Sequence, residues 1–206
     1  MSSDTPSRKF NYFSDIIWYF IFIISGIVSS LLSKYGYENY LFFFSTGIWI
    51  LMIPAVLFNT TVIALACTVT RISPRKWISY LLLNSFSYAL LVAITIGSIS
   101  ILMEGAFLLG IFTAGIGAVM SCWLFKEFLI KTTFNFPLIL CLGMVSFATY
   151  DAILWFREQR NYDRYINELF YNLLNSSIFL IWQPIVGAVI VCALQKRVNK
   201  ELNNTE

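Results

Sequence analysis

Six long apolar runs, separated by short polar stretches that hold most of the basic residues, leave this chain few ways to fold. They cover roughly residues 16–32, 40–69, 77–98, 105–125, 134–156 and 172–194. An apolar run of about 20 residues is what an α-helix needs to cross a hydrocarbon core of about 30 Å. Inside hydrocarbon each backbone N–H and C=O must be satisfied by the protein, and a helix does this within itself. The fold class predicted is all-α, a polytopic membrane helix bundle with about six transmembrane helices. Only 12% of the 206 residues are charged and 58% are hydrophobic. Soluble domains carry about 25% charged residues, so too few are present here to coat a globule of this size.

The domain layout follows from the runs. Residues 1–15 read as a polar N-terminal tail, 16–194 as a single membrane domain and 195–206 as a polar C-terminal tail. The first run is longer than the apolar core of a signal peptide and has no small-residue cleavage site, so it reads as a retained span. The second run, 40–69, is too long for one perpendicular helix. As a helix it would reach about 43 Å, which a tilted span kinked near Pro54 accommodates.

Charge orients the bundle. With six spans, Arg8, Lys9, Arg71, Arg75, Lys76, Lys126, Lys131, Lys196, Arg197 and Lys200 share one side, ten of the 14 basic residues. Lys34, Arg157, Arg160 and Arg164 fall on the other. Basic residues accumulate on the cytoplasmic side, so both termini are expected in the cytoplasm, N-in and C-in, in the cell (inner) membrane. Trp18, Trp77, Trp123 and Trp155 fall at span boundaries, the headgroup level that indole favours, whereas Trp49 and Trp182 lie deeper. An inverted repeat of three plus three spans finds no support, because the mid-span prolines Pro54 and Pro184 sit in the second and sixth runs, which such a repeat does not pair.

The absence of histidine excludes much chemistry: histidine-ligated haem, HExxH zinc sites and Ser-His-Asp or Cys-His catalysis all need it. There are no paired acids at catalytic spacing, no glycine-rich phosphate loop and no clustered ligands. The expectation is a non-enzyme, with no catalytic residue, metal ligand or cofactor assigned. A net charge of +3, scattered along the chain, argues against nucleic acid as a partner. Cys67, Cys122, Cys141 and Cys192 have neither zinc nor redox spacing and read as packing residues.

Polar residues inside the runs are the remaining candidates. Gln183-Pro184 puts an amide and a proline-freed carbonyl deep in the sixth run, either at a helix contact or on a polar path. Asn59, with Thr60 and Thr61, follows Pro54 in the second run, and Asn84 lies in the third. Each amide serves as helix glue or lines a path. Asp151, near the outer end of the fifth run, reaches headgroups, pairs with Arg157 or Arg160, or binds a cation. Small residues recur at four-residue spacing in Gly110, Ala114 and Ala118 and in Ser25, Ser29 and Ser33, as close helix packing requires. Between the fifth and sixth runs, Tyr162, Tyr165, Ile166, Leu169 and Phe170 form one helical stripe. This marks an outer amphipathic segment over 160–170, an interfacial cap or a partner surface.

Two functions are carried forward. The first is a small transporter or channel-type protein, or the membrane subunit of a transport complex, which requires Asn59, Asn84 and Gln183 to line one cavity. The second is a non-catalytic interaction protein of the membrane, of accessory, assembly or toxin-immunity type. The expected partners are the lipid bilayer and another membrane protein or a second copy of the chain.

Overall fold

The computed structural model describes residues 12–39, 47–102, 105–159 and 178–203, and these are all helix, turn or connecting coil, without strands. The helices are α1 (Tyr12–Asn39), α2 (Gly47–Val69), α3 (Pro74–Leu102), α4 (Gly105–Leu124), α5 (Phe136–Gln159) and α6 (Ile178–Asn203). A π-helical turn, Phe125–Leu129, continues α4. Residues 160–177, and with them the amphipathic stripe from Tyr162 to Phe170, lie outside the described residues. Several helices outrun the apolar segments that specify them. At 28 residues α1 reaches about 42 Å, and α6 carries on through the polar C-terminal stretch to Asn203.

Local chemistry accounts for the element ends. Pro74 opens α3 at the first-turn position where proline costs no hydrogen bond, and the Ser73 carbonyl accepts from the N–H groups of Lys76 and Trp77. Asn135 caps α5, its Oδ1 accepting from the Leu138 N–H at 3.2 Å, and Pro137 is tolerated in that first turn. The Ile130 N–H bonds back to the Phe125 carbonyl at 3.1 Å, five residues earlier, which is the bond that widens this turn into π geometry.

Each helix packs on its sequence neighbours, and α6 closes the series by packing on both α1 and α5, so the six form a ring. The register is antiparallel throughout. Tyr19 meets Cys192 while Gly26 lies against Phe179 and Pro184; Asn84 meets Ser121 while Leu91 lies against Gly117; Gly110 faces Phe147 while Gly115 faces Leu140. Among the described residues, aromatic side chains crowd the axis of the ring. Phe22, Phe58, Tyr88 and Trp182 pack around it with tilted rings, their centroids 5.8 Å apart for Phe22–Phe58, 5.4 Å for Phe58–Trp182 and 5.9 Å for Tyr88–Trp182. The Trp182 indole N–H donates to the Ala114 carbonyl at 3.0 Å, tying α6 to α4 across the centre.

Glycine sets the spacing at two crossings. A Cβ on Gly143 would stand 2.7 Å from the Ala114 carbonyl oxygen and 2.8 Å from the Gly115 Cα, so α4 and α5 touch backbone to backbone. A Cβ on Gly26 would stand 2.9 Å from the Phe179 carbonyl oxygen, which holds α1 equally close to α6.

The exterior is apolar. Phe86 is 64% exposed, Leu82 61% and Phe20 60%, and Ile24, Leu108 and Leu138 are also exposed. Leu108–Leu129 and Phe179–Glu201, 22 and 23 residues long, are long and apolar enough to cross a bilayer. Ile16–Leu32, Ile53–Val69 and Phe136–Tyr150 form shorter apolar helical stretches.

Candidate functional site

The polar side chains inside the ring gather into two clusters. In the first, Asn84 on α3 lies between α2 and α4. Its Nδ2 donates to Asn59 Oδ1 at 2.5 Å and to the Tyr80 hydroxyl at 3.2 Å, and its Oδ1 accepts from Ser121 Oγ at 3.1 Å. Asn59 Nδ2 in turn donates to Ser85 Oγ at 2.9 Å. Asn59, Asn84, Tyr80, Ser85 and Ser121 are all buried. Tyr80 and Asn84 are four residues apart, so one face of α3 offers both, and Ser85 stands beside them.

The second cluster belongs to Gln183, which is fully buried on α6. Its Nε2 donates to the Pro54 carbonyl at 3.0 Å, and its Oε1 accepts from Ser25 Oγ and Ser29 Oγ, each at 3.2 Å. The four-residue spacing that puts Ser25 and Ser29 on one face of α1 thus presents two hydroxyls to a single amide oxygen. Both mid-helix prolines border this cluster. Pro54 supplies the acceptor on α2, and Pro184 packs where α1 narrows to Gly26, whose Cβ would stand 3.3 Å from its Cδ.

Several other hydroxyls bond within their own helix. Thr60 and Thr61 both donate to the Leu57 carbonyl at 2.9 Å, Thr113 to that of Gly110 at 3.1 Å, Ser146 to that of Gly143 at 2.6 Å and Ser30 to that of Gly26 at 2.8 Å. Such back-bonding satisfies a hydroxyl within its own helix.

Asn59 and Asn84 therefore bond to each other, and Gln183 bonds to a different set, Ser25 and Ser29 on α1 and the Pro54 carbonyl on α2. Phe58 and Trp182, next in sequence to Asn59 and Gln183, pack against each other with their ring planes tilted by 60°. Asp151 falls within α5, and its side chain is outside the described ones. Cys67, Cys122, Cys141 and Cys192 are free, with Cys122 buried and the other three exposed.

Chemically, both clusters are neutral amides and hydroxyls engaged with one another. They stitch α1, α2 and α6 together, and α2, α3 and α4. Among the described residues no three His, Cys, Asp or Glu side chains come close enough to hold a metal ion.

Reading along the sequence missed Tyr80, Ser85 and Ser121 as partners of the asparagines, and Tyr88 and Trp182 as aromatics crowding the axis. For Trp182 a signal existed: an indole far from the headgroup level needs a buried acceptor for its N–H. No family model matches the chain, and neither a curated protein nor a solved structure does.

Proposed function

We propose that this chain is a six-span membrane protein with both termini in the cytoplasm, acting without catalysis, through contact with another membrane component. The apolar exterior supports the membrane placement, since side chains such as Leu82 and Phe86 are stable facing acyl chains and costly facing water. Antiparallel helices return the chain to the same face after an even number of crossings, and basic residues at that face favour the cytoplasm.

One observation carries the choice of function. The buried amides are consumed in helix-to-helix bonds: Gln183 is held by Ser25, Ser29 and Pro54, and Asn84 by Asn59, Ser121 and Tyr80. A transport path needs polar groups turned toward a passing solute, whereas these are turned toward one another beside an axis where Trp182 packs on its aromatic neighbours. An accessory, assembly or immunity-type role asks only for a stable bundle with a lipid-facing or interfacial contact surface. The stripe Tyr162, Tyr165, Ile166, Leu169 and Phe170 is the segment assigned to that contact.

Two measurements test the reading together. Proteoliposomes containing the purified chain are expected to retain small cations, anions and neutral solutes as well as protein-free vesicles do. Site-specific photocrosslinkers at Tyr165 and Phe170 are expected to capture one membrane protein in stoichiometric yield. Solute-selective flux that Gln183→Leu or Asn84→Leu abolishes would replace this reading with the transport one.

A further inference from the structure

Beyond the aromatic centre, the antiparallel register has an electrostatic result at one end of the ring. The α2–α3 connection, the π turn with the coil after it, and the last turns of α6 all lie at this end. Thr132 Oγ1 donates to the Ala193 carbonyl at 3.1 Å, which joins the coil directly to α6, and the π turn packs on α3. Together they bring Arg71, Arg75, Lys76, Lys126, Lys131, Lys196, Arg197 and Lys200 to one rim. Against these eight cations the described side chains of the rim include two acids, Glu127 and Glu201. Counting Asp15, in the first turn of α1, makes three. Glu201 is paired with Arg197 at 2.7 Å. The other seven cations form no ion pair among the described residues, and all but Lys126 are exposed.

These cations sit directly against the apolar exterior. Half-buried Trp77 follows Lys76, and exposed Ile78 comes next; exposed Trp123 lies one helical turn before Lys126. The order along the helix surface (apolar, then indole, then basic) is that of a hydrocarbon boundary, so the cations lie at the depth of lipid phosphates. They are spread over two connections and the end of α6 instead of lining one groove. That arrangement suits several separate singly charged headgroups better than the continuous backbone of a nucleic acid. The guanidinium fork that Arg71 and Arg75 carry matches two phosphate oxygens at once, and a lysine offers a point charge.

We propose that this rim binds the headgroups of anionic phospholipids, holding a shell of them around the bundle. The inference rests on the membrane placement proposed above, and the tests separate the two. The detergent-purified full chain is first reconstituted, by detergent removal, with phosphatidylcholine alone or with added phosphatidylglycerol, then floated on a density gradient. A chain that floats with neither vesicle defeats the membrane placement itself. Native mass spectrometry of the detergent-released protein then counts retained lipids. Phosphatidylglycerol is expected to be retained several-fold over phosphatidylcholine, with the preference falling as salt rises. The pair Lys126→Gln and Lys131→Gln is expected to reduce the preference several-fold, and Lys126→Arg with Lys131→Arg to preserve it. Lys196→Gln with Lys200→Gln, on the exposed end of α6, repeats the test where loss of folding is not at issue. Equal retention of both lipids, a preference indifferent to both glutamine pairs, displacement by inorganic phosphate, or co-purifying nucleic acid in place of lipid would each overturn the proposal.

Discussion

Replacing Gln183 with leucine asks most directly whether its amide is a structural bond or part of a polar path. The side chain makes three interhelical hydrogen bonds, one to the Pro54 carbonyl and two from Ser25 and Ser29. Such bonds in membrane bundles average about 0.6 kcal/mol, because the unfolded helices also find partners within the bilayer. Leucine is close in size and leaves little cavity, and the two serines can turn back to carbonyls of α1, so no large orphan penalty is added. The expected loss is therefore about 2 kcal/mol, the sum of three average bonds. Unfolding in mixed micelles of increasing SDS content, followed by Trp fluorescence, measures it. The serines supply the control. In a double-mutant cycle, Gln183→Leu against Ser25→Ala with Ser29→Ala should show coupling of about 1 kcal/mol, two bonds' worth. Strict additivity, or a Gln183→Leu protein as stable as the parent, would refute the assignment of Gln183 to helix contact.

Further substitutions test the packing and the surrounding solvent. Trp182→Ala should open the ring axis and cost about 3–5 kcal/mol, whereas Trp182→Phe keeps most of the packing on Phe58 and loses little more than the bond to Ala114, about 1 kcal/mol, as the same SDS titration would register. Gly143→Ala should cost more than Gly110→Ala, because its methyl meets the Ala114 carbonyl and the Gly115 backbone, which cannot yield, while the methyl at Gly110 meets the Phe147 ring, which can turn; melting temperatures of the two variants would rank them. Phe86→Arg places a charge on the exposed middle of α3, which the proposed placement turns toward acyl chains, and should reduce membrane insertion by about 3 kcal/mol in a glycosylation-reporter assay; undiminished insertion would argue that Phe86 does not face acyl chains.

Some of the arrangement was legible along the chain. Ser25 and Ser29 stood out by spacing as a packing face, and Gly110, Ala114 and Ala118 did likewise; the structure uses both, the serines as donors to Gln183 and the small residues as the floor under Phe147 and Gly143. Tyr80, four residues before Asn84, was an available clue to the asparagine cluster. Ser121 was not, because it comes from another helix, 37 residues away, and no local pattern points to it. The element ends also moved. Polar residues after Leu194 read as tail, but Arg197 and Glu201 are spaced for an ion pair four apart, and the helix continues through them.

That the chain is helical, apolar outside and short of charge at its centre was determined by sequence alone, since hydrocarbon-length apolar runs admit a helix and little else. Which amide meets which was decided only by the tertiary structure. These helices are apolar on nearly every face, so composition does not say which side turns inward, and each residue of rotation swings a side chain by about 100°. Ring closure of α6 onto α1 chose the rotation that gives Gln183 to Ser25 and Ser29, and left Asn59 to Asn84.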